Sequence, residues 1–200
     1  MGKYLKKFEN HTEYEGASQN LILPNVSLCA QENEVHYNPL PYQGFCKLTL
    51  NDGTVVELEG NGQLVVSMVN PYRETIVSAE IGELCTSIDG GAFNTCSGLT
   101  NVTIGNSVTR INIAAFSNCS GLTSVTIGNG VTIINSGAFA SCINLSTITS
   151  HIMNAPSVQP GTFTNVKNGG TLYVPIDSSG YETWMNDQNL GPYNWTKVEQ

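Results

Sequence analysis

One stretch of the 200-residue chain, 81–150, repeats itself without interruption. Set in lines of 23 it reads IGELCTSIDGGAFNTCSGLTNVT from Ile81, IGNSVTRINIAAFSNCSGLTSVT from Ile104 and IGNGVTIINSGAFASCINLSTIT from Ile127. A unit this short buries a core only by stacking on its neighbours, so a fixed period of this length specifies a solenoid. Leu99, Val102 and Ile104 recur as Leu122, Val125 and Ile127, then as Leu145 and Ile148. Their alternation predicts one short strand per coil and hence a parallel sheet. Val108 and Ile111 recur as Val131 and Ile134 and, less ideally, as Cys85 and Ile88, which fills each coil from its return side.

Other columns carry packing and turn information. Phe93, Phe116 and Phe139 follow Ala92, Ala115 and Ala138, a large ring next to a small residue, and are expected to stack along the axis as the core's spine. Gly82, Gly105 and Gly128 follow the strand, and Gly98 and Gly121 precede it, at corners expected to turn sharply or to take positive φ. Cys96, Cys119 and Cys142 form a further column. Neighbouring coils about 4.8 Å apart do not exclude a disulfide by distance, but in-register side chains are poorly aimed for one and an odd ladder leaves a thiol over. The column is read as reduced, buried and structural, with no metal, because zinc ligands converge on a point and a column does not.

The AF-xx-C-xx-L-xx-V-x-I run, AFSNCSGLTSVTI from Ala115 to Ile127, resembles the BspA-like leucine-rich repeats of surface proteins from gut and oral bacteria and some protozoa. The resemblance covers roughly the last two-thirds of the chain, with Gly105 and Gly128 standing where that family often has proline. It implies a mainly β, right-handed, curved leucine-rich-repeat solenoid, with the cysteine column bonding to loop backbone. It also implies adhesion or partner binding at a cell surface or outside the cell, and it carries no catalytic residue.

The flanks divide the chain into four expected parts. Residues 1–46 form an irregular N-terminal segment, because Pro24, Pro39 and Pro41 and the runs HTEYEGASQN and AQENEVHYNP interrupt regular structure. Within it, LILP, NVSLCA, Tyr37, Tyr42 and Phe45 are expected to dock on the body, Cys29 and Cys46 to pair only in an oxidising compartment, and His36 near Glu32 and Glu34 to be a solvated loop, not a metal site. The phrases YLKKFENHTEYE and NEVHYNP resemble a leader seen in gut-bacterial and prophage-like proteins. Residues 47–73 alternate apolar and polar residues around Asp52-Gly53 and reverse again at Gly60-Asn61-Gly62, which predicts an antiparallel meander. Leu48, Leu50, Val56, Leu58 and Val65 would make it the cap of an otherwise open coil. The solenoid is placed at 74–175, about four coils, beginning with a strand in TIVSAEI and ending with one in TLYVP. One residue is inserted before Ala155, and Val166 succeeds the cysteine column. Residues 176–200 form a C-terminal cap, with a short helix over Asp177–Gln188 capped by Ser178 or Ser179 and presenting Tyr181, Trp184 and Met185, followed by Trp195 and Val198.

Charge narrows the function. Eight basic and sixteen acidic residues give a net charge of −8, against nucleic acid and acidic lipid. Lys3, Lys6 and Lys7 are followed by ENHTEYEGASQN where a secretion signal needs an apolar run, and no stretch approaches a membrane span. His11, His36 and His151 lie in different modules, and no G-x-S-x-G, HExxH, P-loop or dinucleotide signature is present, so the chain reads as non-enzymatic and without cofactor. The candidate binding surface is the polar sheet face: Asn101, Thr103, Ser124, Thr126, Thr147 and Thr149, with Ser78 and Glu80 before them. Three readings fit it: a shallow site for a protein or glycan partner, a bland surface on a spacer of a surface or phage-like assembly that self-associates, or a water-ordering T-x-T array of the ice-binding kind. The family resemblance favours the first. The lack of aromatic residues among those six argues against tight sugar binding.

Overall fold

The computed structural model describes residues 26–31, 34–39, 41–186 and 188–200, and the chain divides into two compact units, Met1–Leu40 and Pro41–Gln200. In the first unit, β1 (Val26–Gln31) and β2 (Glu34–Pro39) pair as an antiparallel hairpin, so part of the segment expected to be irregular is regular sheet. The alternation in VSLCAQ and EVHYNP that permits this is short and was outweighed by the prolines around it; Pro39 falls at a strand end, where its missing N–H costs no ladder bond. The tether and LILP readings over 1–25, and the side chains of Cys29, Glu32, Glu34, His36 and Tyr37, lie outside the described residues.

The second unit opens with β3 (Cys46–Leu50) and β4 (Val55–Leu58), an antiparallel hairpin turned at Asp52-Gly53, with Gly53 at φ 84° and the Asp52 carboxylate accepting from the Thr54 N–H. The expected meander stops there. After Gly60-Asn61-Gly62, β5 (Gly62–Leu64) does not fold back on the hairpin but crosses to a second sheet, and a single helical turn, α1 (Val66–Val69), returns the chain. Coils then follow as β6 (Ile76–Ile81) and β7 (Cys85–Ile88), β8 (Asn101–Ile104) and β9 (Arg110–Ile111), β10 (Ser124–Ile127) and β11 (Ile133–Ile134), and β12 (Thr147–Ser150) and β13 (Ser157–Val158). The strands β14 (Thr171–Val174) and β15 (Thr196–Glu199) close the series.

Two sheets result. The larger has eight strands in the order β15-β14-β12-β10-β8-β6-β3-β4, and the smaller five in the order β13-β11-β9-β7-β5. Six consecutive strands of the larger, β6 to β15, are parallel, so the solenoid has about six turns, not four. The additional coil is the C-terminal segment itself, whose β15 pairs in parallel with β14. Its strand carries Lys197 where earlier coils carry an inward aliphatic, which hid it from the repeat pattern. At the other end, β3 pairs antiparallel with β6 and so extends the sheet edgewise, while Leu48 is buried and Leu50, Val56 and Leu58 pack against the core. The edge strand β4 is four residues long and carries Glu57, features that discourage further pairing.

Between the sheets, the inward columns are buried throughout, from Ile76, Ala79 and Ile81 to Leu172 and Val174. The phenylalanine spine is present and one rung longer than the exact repeat: Phe93–Phe116, Phe116–Phe139 and Phe139–Phe163 stack with centroids 4.9, 5.2 and 5.7 Å apart and planes within 11°. Trp184 ends the stack at 5.5 Å and tilts by 41°. The segment carrying it is not the expected α-helix. Asp177 and Gly180 both take positive φ, which breaks helical continuity, and only a 3-10 turn at Tyr181–Thr183 forms, with no side-chain cap from Ser178 or Ser179. Tyr181 and Trp184 are nevertheless fully buried. The Tyr181 hydroxyl donates to Ile152 O (2.8 Å) and lies 2.6 Å from Ser150 Oγ, and Trp184 Nε1 donates to Pro156 O (3.1 Å).

The glycines divide by physical role. Gly105 and Gly128 do not take positive φ; they allow close approach, since a Cβ on Gly105 would sit 2.7 Å from Ile81 O and one on Gly128 would sit 2.6 Å from Gly105 O. Their N–H groups donate to Ile81 O and Ile104 O, a bond that proline at this position would lack. Positive φ falls elsewhere, at Gly91 (67°), Gly137 (66°) and Gly161 (79°), with Ala114 at 55° in the same column. A Cβ in that conformation is strained and glycine is not. Ala114→Gly is therefore expected to raise stability by about 0.5–1 kcal/mol, seen as a higher urea midpoint at unchanged slope; a lower midpoint would show that the Ala114 methyl contributes more by packing than it costs in strain.

Candidate functional site

The outer face of the eight-stranded sheet is built by register. Asn101, Ser124 and Thr147 lie side by side, as do Thr103, Thr126 and Thr149, because each strand pairs with the equivalent residues of the next coil. All six residues expected at the face are thus brought together in two rows, Asn101 and Thr103 exposed and the other four partly so. Structure lengthens both rows. Ser78 and Thr49 precede Asn101, and Thr171 and Thr196 follow Thr147. In the second row Glu57, Lys47 and Glu80 precede Thr103, and Tyr173 and Val198 follow Thr149.

The face therefore has a charged end and a neutral body. Lys47 Nζ lies 2.8 Å from Glu80 Oε2 and 5.2 Å from the centre of the Tyr42 ring. Burial, with the Glu57 carboxylate as the next cause, pushes the Tyr42 hydroxyl above its ordinary value. Beyond Glu80 the rows hold only hydroxyls, the Asn101 amide, Tyr173 and Val198. Tyr173 places one aromatic ring beside the threonines, which the 23-residue pattern did not place there because the insertion near Ala155 displaces it by one residue.

Hydroxyls at the corners behave differently from those on the face. Thr100 Oγ1 donates to Val77 O (2.8 Å), Thr123 Oγ1 to Thr100 O (2.9 Å), Thr109 Oγ1 to Thr86 O (3.1 Å) and Thr132 Oγ1 to Thr109 O (3.0 Å). Asn112 and Asn135 do the same with their amides, to Ile88 O and Ile111 O. These ladders tie each coil to the one before it. They were missed in reading the sequence although the signal was there, since each of these polar residues recurs at the same 23-residue interval as the core. On the face, Asn101 Oδ1 accepts from Thr100 Oγ1, whereas Thr103, Ser124, Thr126, Thr147 and Thr149 make no side-chain hydrogen bond among the described residues. Their hydroxyls are free for water or a partner.

The structural columns serve the core. Cys119 Sγ donates to Phe93 O and Cys142 Sγ to Phe116 O, both at 3.1 Å, so each thiol clips its coil to the backbone of the one before. Val166 occupies the next position of the column and is buried. Cys46, Cys85, Cys96, Cys119 and Cys142 are free and buried, and Cys46 faces the core from β3; the expectation for a Cys29–Cys46 pair involves a side chain outside the described residues. Burial pushes the Cys142 thiol up to about 12 and those of Cys85 and Cys96 up to about 11, and raises Cys46 and Cys119 as well. At neutral pH these sulfurs are protonated, so none is poised as a nucleophile. No helix among the described residues is long and apolar enough to cross a membrane.

A family model described as the BspA type leucine rich repeat region, six copies, matches residues 72–188. Neither a curated protein nor a solved structure matches the chain. The matched span covers more than half of the chain, with five of the six parallel strands, β6 to β14, and the turn that carries Trp184: the chain belongs to the BspA-type leucine-rich repeat family.

Proposed function

We propose that this protein is a non-enzymatic binding or adhesion module whose polar sheet face engages a protein or glycan partner at a cell surface. The observation that carries the reading is the contrast between corner and face: corner hydroxyls are committed to ladders, while Thr103, Ser124, Thr126, Thr147 and Thr149 have no partner among the described residues. A row of free hydroxyls at strand spacing, repeated over several coils, supplies many weak hydrogen bonds that add over area. The family is a repeat family often used for protein binding or adhesion. With no charge between Glu80 and the C-terminal strand on this face, binding there should depend little on salt.

The test is a screen of the purified chain against glycans and matrix proteins, with light scattering on the same sample. A saturable hit from a monomer is expected, and Thr126→Lys, which inserts an unpaired charge into the middle row, is expected to weaken it at least about tenfold. Undiminished binding by that variant would move the site off the face. A defined oligomer with no hit would replace this reading with that of a spacer in an assembly.

A further inference from the structure

A second feature lies at the coil where the exact repeat of 81–150 ends. Paired strands are offset by the 23-residue repeat as far as Ser124 and Thr147, but Thr147 pairs with Thr171 and Ile133 with Ser157, each one residue beyond the repeat. The inserted residue falls within the segment 151–156, and beside it lies an open cavity of about 540 Å³, a volume in the range of small-molecule sites. Val131, Ile152 and Pro156 are buried and form its apolar floor; Asn129, His151 and Asn154 are exposed at its rim.

Two column breaks coincide there. His151 stands where the preceding coils have Gly82, Gly105 and Gly128, the column whose lack of a side chain permits close stacking. The side chains one position on form a ladder in which Glu83 Oε1 accepts from Asn106 N (2.8 Å) and Asn106 Oδ1 from Asn129 N (3.0 Å). Asn129 is its last rung. The insertion displaces the next coil, and the Asn129 side-chain amide makes no hydrogen bond among the described residues. The Asn154 Oδ1 accepts from Ser179 Oγ, which leaves its NH₂ group for a ligand.

We propose that this cavity binds a neutral sugar residue, such as the terminal unit of a glycan. Amides present donor and acceptor side by side, the pattern that neighbouring hydroxyls of a pyranose require, and the apolar floor suits its C–H face. No carboxylate, lysine or arginine lines the cavity, and its one ionisable side chain is the His151 imidazole, so it offers no fixed charge to hold a phosphate or an amine. None of the six sheet-face residues lines it, so this site stands or falls apart from the sheet-face reading.

The test uses the full ¹⁵N-labelled chain, titrated separately with D-glucose, D-galactose, N-acetyl-D-glucosamine and inorganic phosphate and followed by amide chemical shifts. Saturable shifts confined to Asn129, His151, Asn154 and their neighbours are expected with at least one sugar, with a dissociation constant on the order of 1–10 mM. Asn129→Ala removes only an exposed, unbonded amide and should weaken that binding roughly fivefold to tenfold with an otherwise unchanged spectrum, while Thr126→Lys should leave it intact. The proposal is overturned by an absence of saturable shifts with all three sugars, by phosphate binding more tightly than any of them, or by an Asn129→Ala variant that binds as the parent does.

Discussion

Replacing Phe116 with alanine is expected to cost about 3–5 kcal/mol of stability. The ring is fully buried and stacked on both faces, with Phe93 at 4.9 Å and Phe139 at 5.2 Å. Ala115 beside it is small and buried, so neighbouring side chains have little freedom to collapse into the cavity. In a solenoid each coil contacts only its neighbours, so a weak central coil also uncouples the coils before it from those after it. The melting temperature should fall by roughly 2–4 °C for each kcal/mol lost, and the urea transition should broaden or split. A variant with the parent's midpoint and slope would mean that the ring stack is not the spine of the fold.

Gly128→Ala, the smallest change that adds a side chain at the crossing of two coils, is expected to cost about 3 kcal/mol or more. The new Cβ would lie 2.6 Å from Gly105 O and 2.7 Å from Ile104 O. Both are backbone oxygens and neither can rotate away. Relief requires the coils to separate, yet β8 and β10 are held in register beside this point and the Gly128 N–H itself donates to Ile104 O at 2.9 Å. The spacing of the whole sheet therefore opposes one methyl group. Chemical denaturation of the purified variant reads the cost directly; an unchanged midpoint would show slack between coils that the contact distances deny.

His151 occupies the same column, in the coil where the chain gains an extra residue. That comparison separates what the column needs from what glycine happens to be. In the coils before it, the constraint is approach of backbone to backbone and not positive φ. The distinction was not legible in the sequence, since a conformational glycine and a packing glycine are the same letter. The cysteine column, by contrast, was legible in place, because Cys96, Cys119 and Cys142 recur at the interval of the core; the positive φ of Thr95, Asn118 and Ser141 before them was not.

The candidate site was legible in position but not in composition at its ends. Asn101, Thr103, Ser124, Thr126, Thr147 and Thr149 follow from period two within a strand and 23 between strands, and they are neighbours in the sheet. Lys47 and Glu57 at one end and Tyr173 at the other required the actual pairing, because an antiparallel hairpin joins the first coil and an insertion shifts the fifth.

What the sequence by itself determined is whatever one coil shares with the next: the solenoid, its inward columns, the phenylalanine stack and the polar face. Identical surroundings every 23 residues select the same residue type, so the pattern reports the environment. Tertiary structure alone decided what breaks that identity. The hairpin that extends the sheet, the sixth strand carrying Lys197 and the cavity beside His151 all occur where a coil meets a different neighbour or none. It also decided which threonines are tied into ladders and which are free, because a hydroxyl at Thr100 or Thr123 lies within reach of the preceding coil's carbonyl, while the same group at Thr103 or Thr126 points away from the sheet, where no backbone acceptor lies.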